Sequence, residues 1–313
     1  MPVRILVCDP MEAEGIQMLR KEGFEVEEKP TISSEELLKV VGEYEALFVR
    51  SRTRVTQDVI QVGRKLKAVV RAGVGLDNVD VESARKAGIQ VLSTPAALTV
   101  SVAELTIGLM LDVLRQISLA DRNMKDGKWI KSRMMGRELR GKTVGVIGAG
   151  GRIGSEVARI LKTGFGANVV GYDITDISGR VAELGMHLAK DLDDLLVICD
   201  IATIHVPYSE ATHHLLNAEK MAKMKKGSIL INTSRGDIVD GQALLKILKE
   251  KHLSGAGLDV FHSEPPKEEW EKELASLPDG ITVCTCHIGA QTIESQRTAS
   301  VMAAEALIKI LKP

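Results

Sequence analysis

At 313 residues the chain is long enough for two domains with ample cores. Its 41 basic and 42 acidic residues leave a net charge of −1, which excludes the electrostatic footprint of a nucleic-acid or membrane-surface binder. The first apolar stretch carries Arg4 and is no signal peptide, and no uninterrupted apolar run reaches the roughly 18 residues of a membrane span, so the expected location is the cytoplasm.

In chain order, short apolar runs at Val3–Cys8, Phe24–Val26, Ala46–Val49, Ala68–Val70 and Gln90–Leu92 alternate with helical patterns at Met11–Lys21, Glu35–Val41, Thr56–Val62 and Val81–Ala87. Such alternation implies a parallel sheet covered on both faces. Ser33 and Glu36 stand at capping-box spacing. Ser101 and Glu104 do too, and predict the start of a long helix running to Leu114 or beyond. Apolar residues nearly surround that helix, which predicts deep burial or an oligomer interface.

Lys142 to Asp173 is the most informative stretch. Thr143–Ile147 reads as a buried strand, followed by Gly148, Gly150, Gly151 and Gly154, then a helix with Ile153, Val157, Ile160 and Leu161 on one face. Asn168–Tyr172 is a second strand ending at Asp173, nineteen residues after Gly154. This is the order of a dinucleotide-binding βαβ unit: glycines let backbone N–H groups approach a pyrophosphate at a helix N-terminus, and the acid accepts from ribose hydroxyls. The loop is one residue longer than Gly-x-Gly-x-x-Gly. Further strands follow at Ile201–Val206, Ser228–Asn232, Ala256–Val260 and Ile281–Cys286, with helices at Gly241–Lys249 and Thr292–Leu311. Cys8, Cys199, Cys284 and Cys286 read as free thiols, and no His/Cys group has zinc spacing, so no metal is expected.

Three polar residues stand at the ends of late strands, where open α/β sheets bind ligands: Arg235, Glu264 and His287. Hydride chemistry on a hydroxy acid needs a guanidinium to fork the carboxylate, an imidazole to exchange the hydroxyl proton, and a carboxylate to orient that imidazole. Taken singly each has an ordinary alternative: a loop cap, a member of a charged neighbourhood, a structural histidine.

The motifs together are more specific. They include Val49-Arg-Ser-Arg-Thr53, Arg71-Ala-Gly-Val-Gly-Leu-Asp-Asn-Val-Asp80, Ser101-Val-Ala-Glu104, Gly127-Lys-Trp129, Asn232-Thr-Ser-Arg-Gly236, Gly257-Leu-Asp-Val-Phe261 with Glu264-Pro265, and His287-Ile-Gly-Ala290. On these the chain resembles the D-2-hydroxyacid dehydrogenase family over essentially its whole length, most of all the phosphoglycerate dehydrogenase branch. The resemblance implies an α/β fold of two doubly wound parallel-sheet domains: a flavodoxin-like substrate domain at residues 1–98 and 291–313, and a Rossmann NAD-binding domain at 99–290. It implies that Arg235 orients the substrate, His287 exchanges the proton and Glu264 supports the histidine. Cofactor contacts would fall on Gly148, Gly150, Gly151, Arg152, Ile153, Gly154, Asp173, His205, Val206, Pro207, Thr212, Thr233, Ser234, Arg235, Asp259, His287, Gly289 and Ala290. Substrate contacts would fall on Arg50, Ser51, Arg52, Thr53, Gly73, Val74 and Gly75. Three departures from the family pattern stand out: the longer glycine loop, Cys286 in place of a proline, and Ser93-Thr94 where an asparagine often precedes Pro95.

The activity so implied is oxidation of 3-phospho-D-glycerate to 3-phosphohydroxypyruvate, with a homodimer formed through the cofactor domain. Without the family's C-terminal regulatory domain, inhibition by serine is not expected. Alternatives are a glyoxylate or hydroxypyruvate reductase, and an NAD-sensing co-repressor. NAD is expected over NADP because Asp173 would repel a 2′-phosphate. For the substrate phosphate, Arg50, Arg52 and Arg54 would share one side of an extended segment, with Arg50 the first choice.

Overall fold

The computed structural model describes residues 2–277 and 280–312. The chain divides into two compact units, Met1–Thr99 with Ala290–Pro313, and Val100–Gly289.

The first unit holds a parallel sheet of β1 (Arg4–Val7), β2 (Glu25–Glu28), β3 (Ala46–Val49), β4 (Ala68–Arg71) and β5 (Gln90–Ser93), in the order β2-β1-β3-β4-β5. This is the flavodoxin-like order. β3 is buried at all four positions, as a central parallel strand covered on both faces must be. The helix Ile293–Leu311 packs against the helix Ala13–Lys21, where Ser300 Oγ donates to Glu12 O at 2.8 Å.

The second unit carries β6 (Thr143–Ile147), β7 (Asn168–Tyr172), β8 (His187–Leu188), β9 (Ile201–Ile204), β10 (Ile229–Asn232), β11 (Gly255–Leu258) and β12 (Thr282–Cys284). All pair in parallel, in the order β12-β11-β10-β9-β6-β7-β8. Alternate residues feed opposite cores: Ile229 and Ile231 face the helices Thr99–Arg115 and Arg152–Phe165, while Leu230 faces Leu192–Ile198 and Gly241–Lys249. The order reverses between β9 and β6, which makes the carboxyl ends of those strands the switch point.

One sequence expectation is corrected. The long helix begins at Thr99, running on from a 3₁₀ turn at Pro95–Leu98, so Ser101 lies inside it rather than at its start. Proline pre-sets the first turn and helix growth continues from it. The segment Pro95–Arg115 is long and apolar enough to cross a membrane by length and composition, but most of its apolar residues, Val102, Ile107, Leu109, Met110, Val113 and Leu114 among them, are buried in the core.

Candidate active site

The glycine loop sits at the carboxyl end of β6. Gly148 has φ +87°, and a Cβ there would lie 2.5 Å from His205 O, so a side chain would both strain the backbone and strike the end of β9. Gly151 N donates to Gly148 O at 3.1 Å, closing the turn that takes up the extra residue. The helix Arg152–Phe165 then starts with Gly151 as its N-cap, and Ile153 and Gly154 lie in its first turn. Asp173, just past β7, accepts from Gly150 N at 3.0 Å and from Thr175 N at 3.1 Å. Amide donors at a helix start beside a carboxylate on the next strand are the set a dinucleotide requires, so NAD fits the residues present.

The end of β9 is built around neutral groups. His205 bonds Thr203 Oγ1 through Nε2 at 2.9 Å, and desolvation pushes its pKa down to about 3, so it is uncharged near neutrality. Thr212 Oγ1 donates to Pro207 O at 2.8 Å and accepts from Ser209 N at 2.7 Å, closing the loop after Val206. Ser234 Oγ donates to Val206 O, and Thr233 Oγ1 lies 2.9 Å from Thr106 Oγ1. The buried Asn232 pins the residues that follow it, donating to Arg235 O at 2.8 Å and accepting from Ser234 N at 3.0 Å.

Past β11 and β12 lie the remaining members of the trio. His287 Nδ1 and Glu264 Oε2 are 2.6 Å apart, with side chains 45% and 41% exposed, so the pair is fixed yet within reach of a ligand. Burial alone would raise the Glu264 pKa, but hydrogen bonds from His287 and Phe261 N and the charges of His287 and Arg235 turn it below its ordinary value. His287 itself has φ +56°, a left-handed conformation disfavoured for a residue with a Cβ. Asp259, 1% exposed, holds it there: its backbone O accepts from His287 N at 2.9 Å. Its Oδ1 accepts from Thr285 Oγ1 at 2.6 Å and Ile288 N at 2.8 Å, and its Oδ2 from Gly289 N at 2.9 Å. The family resemblance implies Asp259 as a cofactor contact. The structure gives every oxygen of its carboxylate to the histidine loop. Ala290, just beyond that loop, is joined through its O to Gln296 Nε2 at 2.5 Å.

In the first unit the loop after β3 turns at its switch point. Residues 51–53 form bends, so the extended segment that would align Arg50, Arg52 and Arg54 is not present. Buried Asp9 replaces strand geometry as the organiser, accepting from Arg50 N at 2.5 Å and Thr53 Oγ1 at 2.7 Å. Arg52 pairs with Asp9 through Nε at 3.1 Å and donates to the carbonyls of Cys8, Pro30 and Ile32. Arg50 donates to Pro10 O at 3.3 Å, and desolvation lowers its pKa. Ser51 is exposed. Asn78 ties the loop from outside, donating to Arg50 O at 2.7 Å and Thr53 O at 2.6 Å. Gly73 N donates to Thr94 Oγ1 at 3.0 Å, Val74 is 37% exposed, and Arg71 donates to Gly75 O. Asp9, Arg71 and Asn78 were not singled out from sequence; Arg71 and Asn78 lie inside a quoted motif, and Asp9 directly follows a strand.

Comparison with known proteins decides the family. The model of the D-isomer specific 2-hydroxyacid dehydrogenase NAD-binding domain matches residues 107–289. The chain belongs to that family. Its cofactor is NAD. It is 44% identical over 311 residues to a D-3-phosphoglycerate dehydrogenase of Methanocaldococcus jannaschii, covering 99% of this chain but 58% of that protein's length. It is 43% identical over 313 residues to a hydroxypyruvate reductase of Thermotoga maritima, covering 98% of each. A crystal structure of a Thermus thermophilus protein superposes with a TM-score of 0.88 at 34% identity, covering 99% of this chain and 97% of that one.

Proposed function

We propose that the chain interconverts a D-2-hydroxy acid and its 2-oxo acid, and that its substrate is 3-phospho-D-glycerate. The 2.6 Å bond between His287 Nδ1 and Glu264 Oε2 carries the reading. It leaves Nε2 as the ring nitrogen that takes the substrate hydroxyl proton in oxidation and returns it in reduction. NAD, when bound, takes up the hydride from C2. Arg235 forks the substrate carboxylate, and Glu264, ionised because its pKa is lowered, stabilises the protonated imidazole. Arg50 and Ser51 recognise the phosphate; Arg52 and Thr53 shape their loop. Gly73, Val74 and Gly75 form the second substrate loop.

A hydroxypyruvate reductase is the second reading, favoured by the Thermotoga relative that matches over nearly its full length. Arg50→Ala separates the two. Losing one charged hydrogen bond costs about 1.5–3 kcal/mol, so kcat/KM for 3-phosphohydroxypyruvate should fall roughly tenfold to a hundredfold while glyoxylate reduction holds. Equal losses on both substrates favour the reductase reading.

The assembly we propose is a homodimer of a cytoplasmic enzyme, formed through the cofactor domain. The helix Thr99–Arg115 gives most of its apolar surface to the core, so the added support comes from Ile117, Met124, Trp129 and Met135, which are 52–88% exposed. A monomer in analytical ultracentrifugation at micromolar concentration would count against it.

A further inference from the structure

The loops that bear Arg235 and Glu264 meet at a point the reaction chemistry leaves unused. A Cβ on Gly236 would lie 2.5 Å from His262 N, so only glycine lets the loop after β10 rest on the backbone of the loop after β11. Next to that contact, His262 Nδ1 and Asp237 Oδ1 are 2.5 Å apart. The bond joins the residue two places after Arg235 to the residue two places before Glu264. Beyond it the loops part. Gly236, Asp237, Val239, Phe261, His262 and Trp270 line a cavity of about 510 Å³. Side chains facing such a space have fewer packed neighbours to hold them, which leaves the glycine contact and the polar pair to set the spacing.

We propose that His262 and Asp237 are positioning residues, a clasp that sets the spacing between Arg235 and Glu264 and holds best when His262 is protonated. This rests on the roles given above to Arg235, Glu264 and His287. Asp237 faces the imidazole from the loop after β10, Glu271 and Glu268 face it from the helix Glu269–Ala275 and its N-cap, and the Trp270 ring lies 6.3 Å away. His214 and Asp240 line the same cavity. The Asp237 hydrogen bond, opposed by desolvation and aided by the three carboxylates, raises the His262 pKa above 6.5. The clasp is therefore strongest at pH below the ordinary histidine value and weakens as pH rises through the raised value.

The test compares wild type, His262→Ala, His262→Gln and Asp237→Asn from pH 6 to 9, measuring KM for the 2-oxo acid, kcat and NADH affinity. At pH 6, His262→Ala and Asp237→Asn should raise KM about fivefold with kcat within about twofold and NADH affinity unchanged. That is about 1 kcal/mol for a half-exposed pair. His262→Gln, whose amide still donates, should keep most of the low KM. To separate His262 from the histidine that exchanges the substrate proton, oxalate binding is measured in the His287→Ala enzyme with NADH. It should weaken as pH rises with His262 present and become flat in the His262→Gln double variant. Unchanged KM in His262→Ala, or flat oxalate binding with His262 present, overturns the clasp. If His287→Ala instead retains wild-type kcat, the catalytic assignment fails first and takes the clasp with it.

Discussion

In the first unit the loop after β3 hangs on Asp9, and in the second the loop after β12 hangs on Asp259; both are 1% exposed. Asp9 shares its loop with other anchors. Arg52 reaches three carbonyls besides the Asp9 carboxylate, and Asn78 bridges Arg50 O to Thr53 O. Among the described residues Asp259 receives only neutral donors, all within residues 285–289, and the conformation it holds includes His287 at φ +56°. A left-handed residue costs roughly 1–2 kcal/mol, so that loop stores strain against one carboxylate. The first loop is braced for shape. The second is strained for placement.

The largest test of that contrast removes what is being placed. His287→Ala should lower kcat by about 10² to 10⁴ while NADH affinity stays within a few-fold. A variant that keeps its rate would show that the strained loop serves the fold alone.

The next test swaps each anchor for its amide. In Asp259→Asn, whichever side the NH₂ takes confronts a backbone donor, Ile288 N on one and Gly289 N on the other. Losing a hydrogen bond to a charged group costs about 1.5–3 kcal/mol, and urea melts should show it together with reduced kcat. In Asp9→Asn an NH₂ on the Oδ1 side faces Thr53 Oγ1, which has Cys8 O as a second acceptor, and displaces only the half-exposed Arg52 Nε, whose guanidinium keeps three carbonyl partners. Stability should drop by only about 1 kcal/mol. Equal losses would erase the distinction between the two loops.

Acid should spare the second loop longer than a free carboxylate would allow. The Glu264 pKa is lowered, so its stabilisation is present above the ordinary carboxylate range and is lost only as pH falls through the lowered value. The stability difference between wild type and Glu264→Gln should hold from neutrality down to about pH 4.5 and close only below it. A difference that closes near pH 6 would mean the carboxylate is not held by His287.

Much of this was legible in the sequence. The glycine run between two β-branched strands predicts the nucleotide end, and the trio at strand ends stands where the chain order places it. The short helices Ser178–Leu184 and Ala218–Lys223 went unread because six or seven residues carry less than two turns of periodicity. The two-residue β8 shows no alternation at all. Asp9 was missed for a different reason: its partners lie 41 to 44 residues away, and no local pattern marks a hydrogen bond of that span. The partners of Asp259 in residues 285–289 are likewise non-local and emerge only once β11 and β12 are adjacent.

The smallest effect separates two neighbouring arginines that the sequence places together. Arg52 is 47% exposed at its side chain, yet its nitrogens are engaged by Asp9 and by the carbonyls of Cys8, Pro30 and Ile32. Arg50 has one side-chain bond, at 3.3 Å, to Pro10 O. If the first loop is braced for shape, Arg52→Ala should cost about 1 kcal/mol of stability, discounted for its exposure, because Asp9 keeps Thr53 and the Arg50 amide. It should lower kcat/KM for 3-phosphohydroxypyruvate and for glyoxylate by the same small factor, within about threefold, since a loosened loop weakens every substrate it frames. A phosphate-selective loss in Arg52→Ala would move Arg52 from brace to ligand, and the loop after β3 would then be read as a placed site like the one that holds His287.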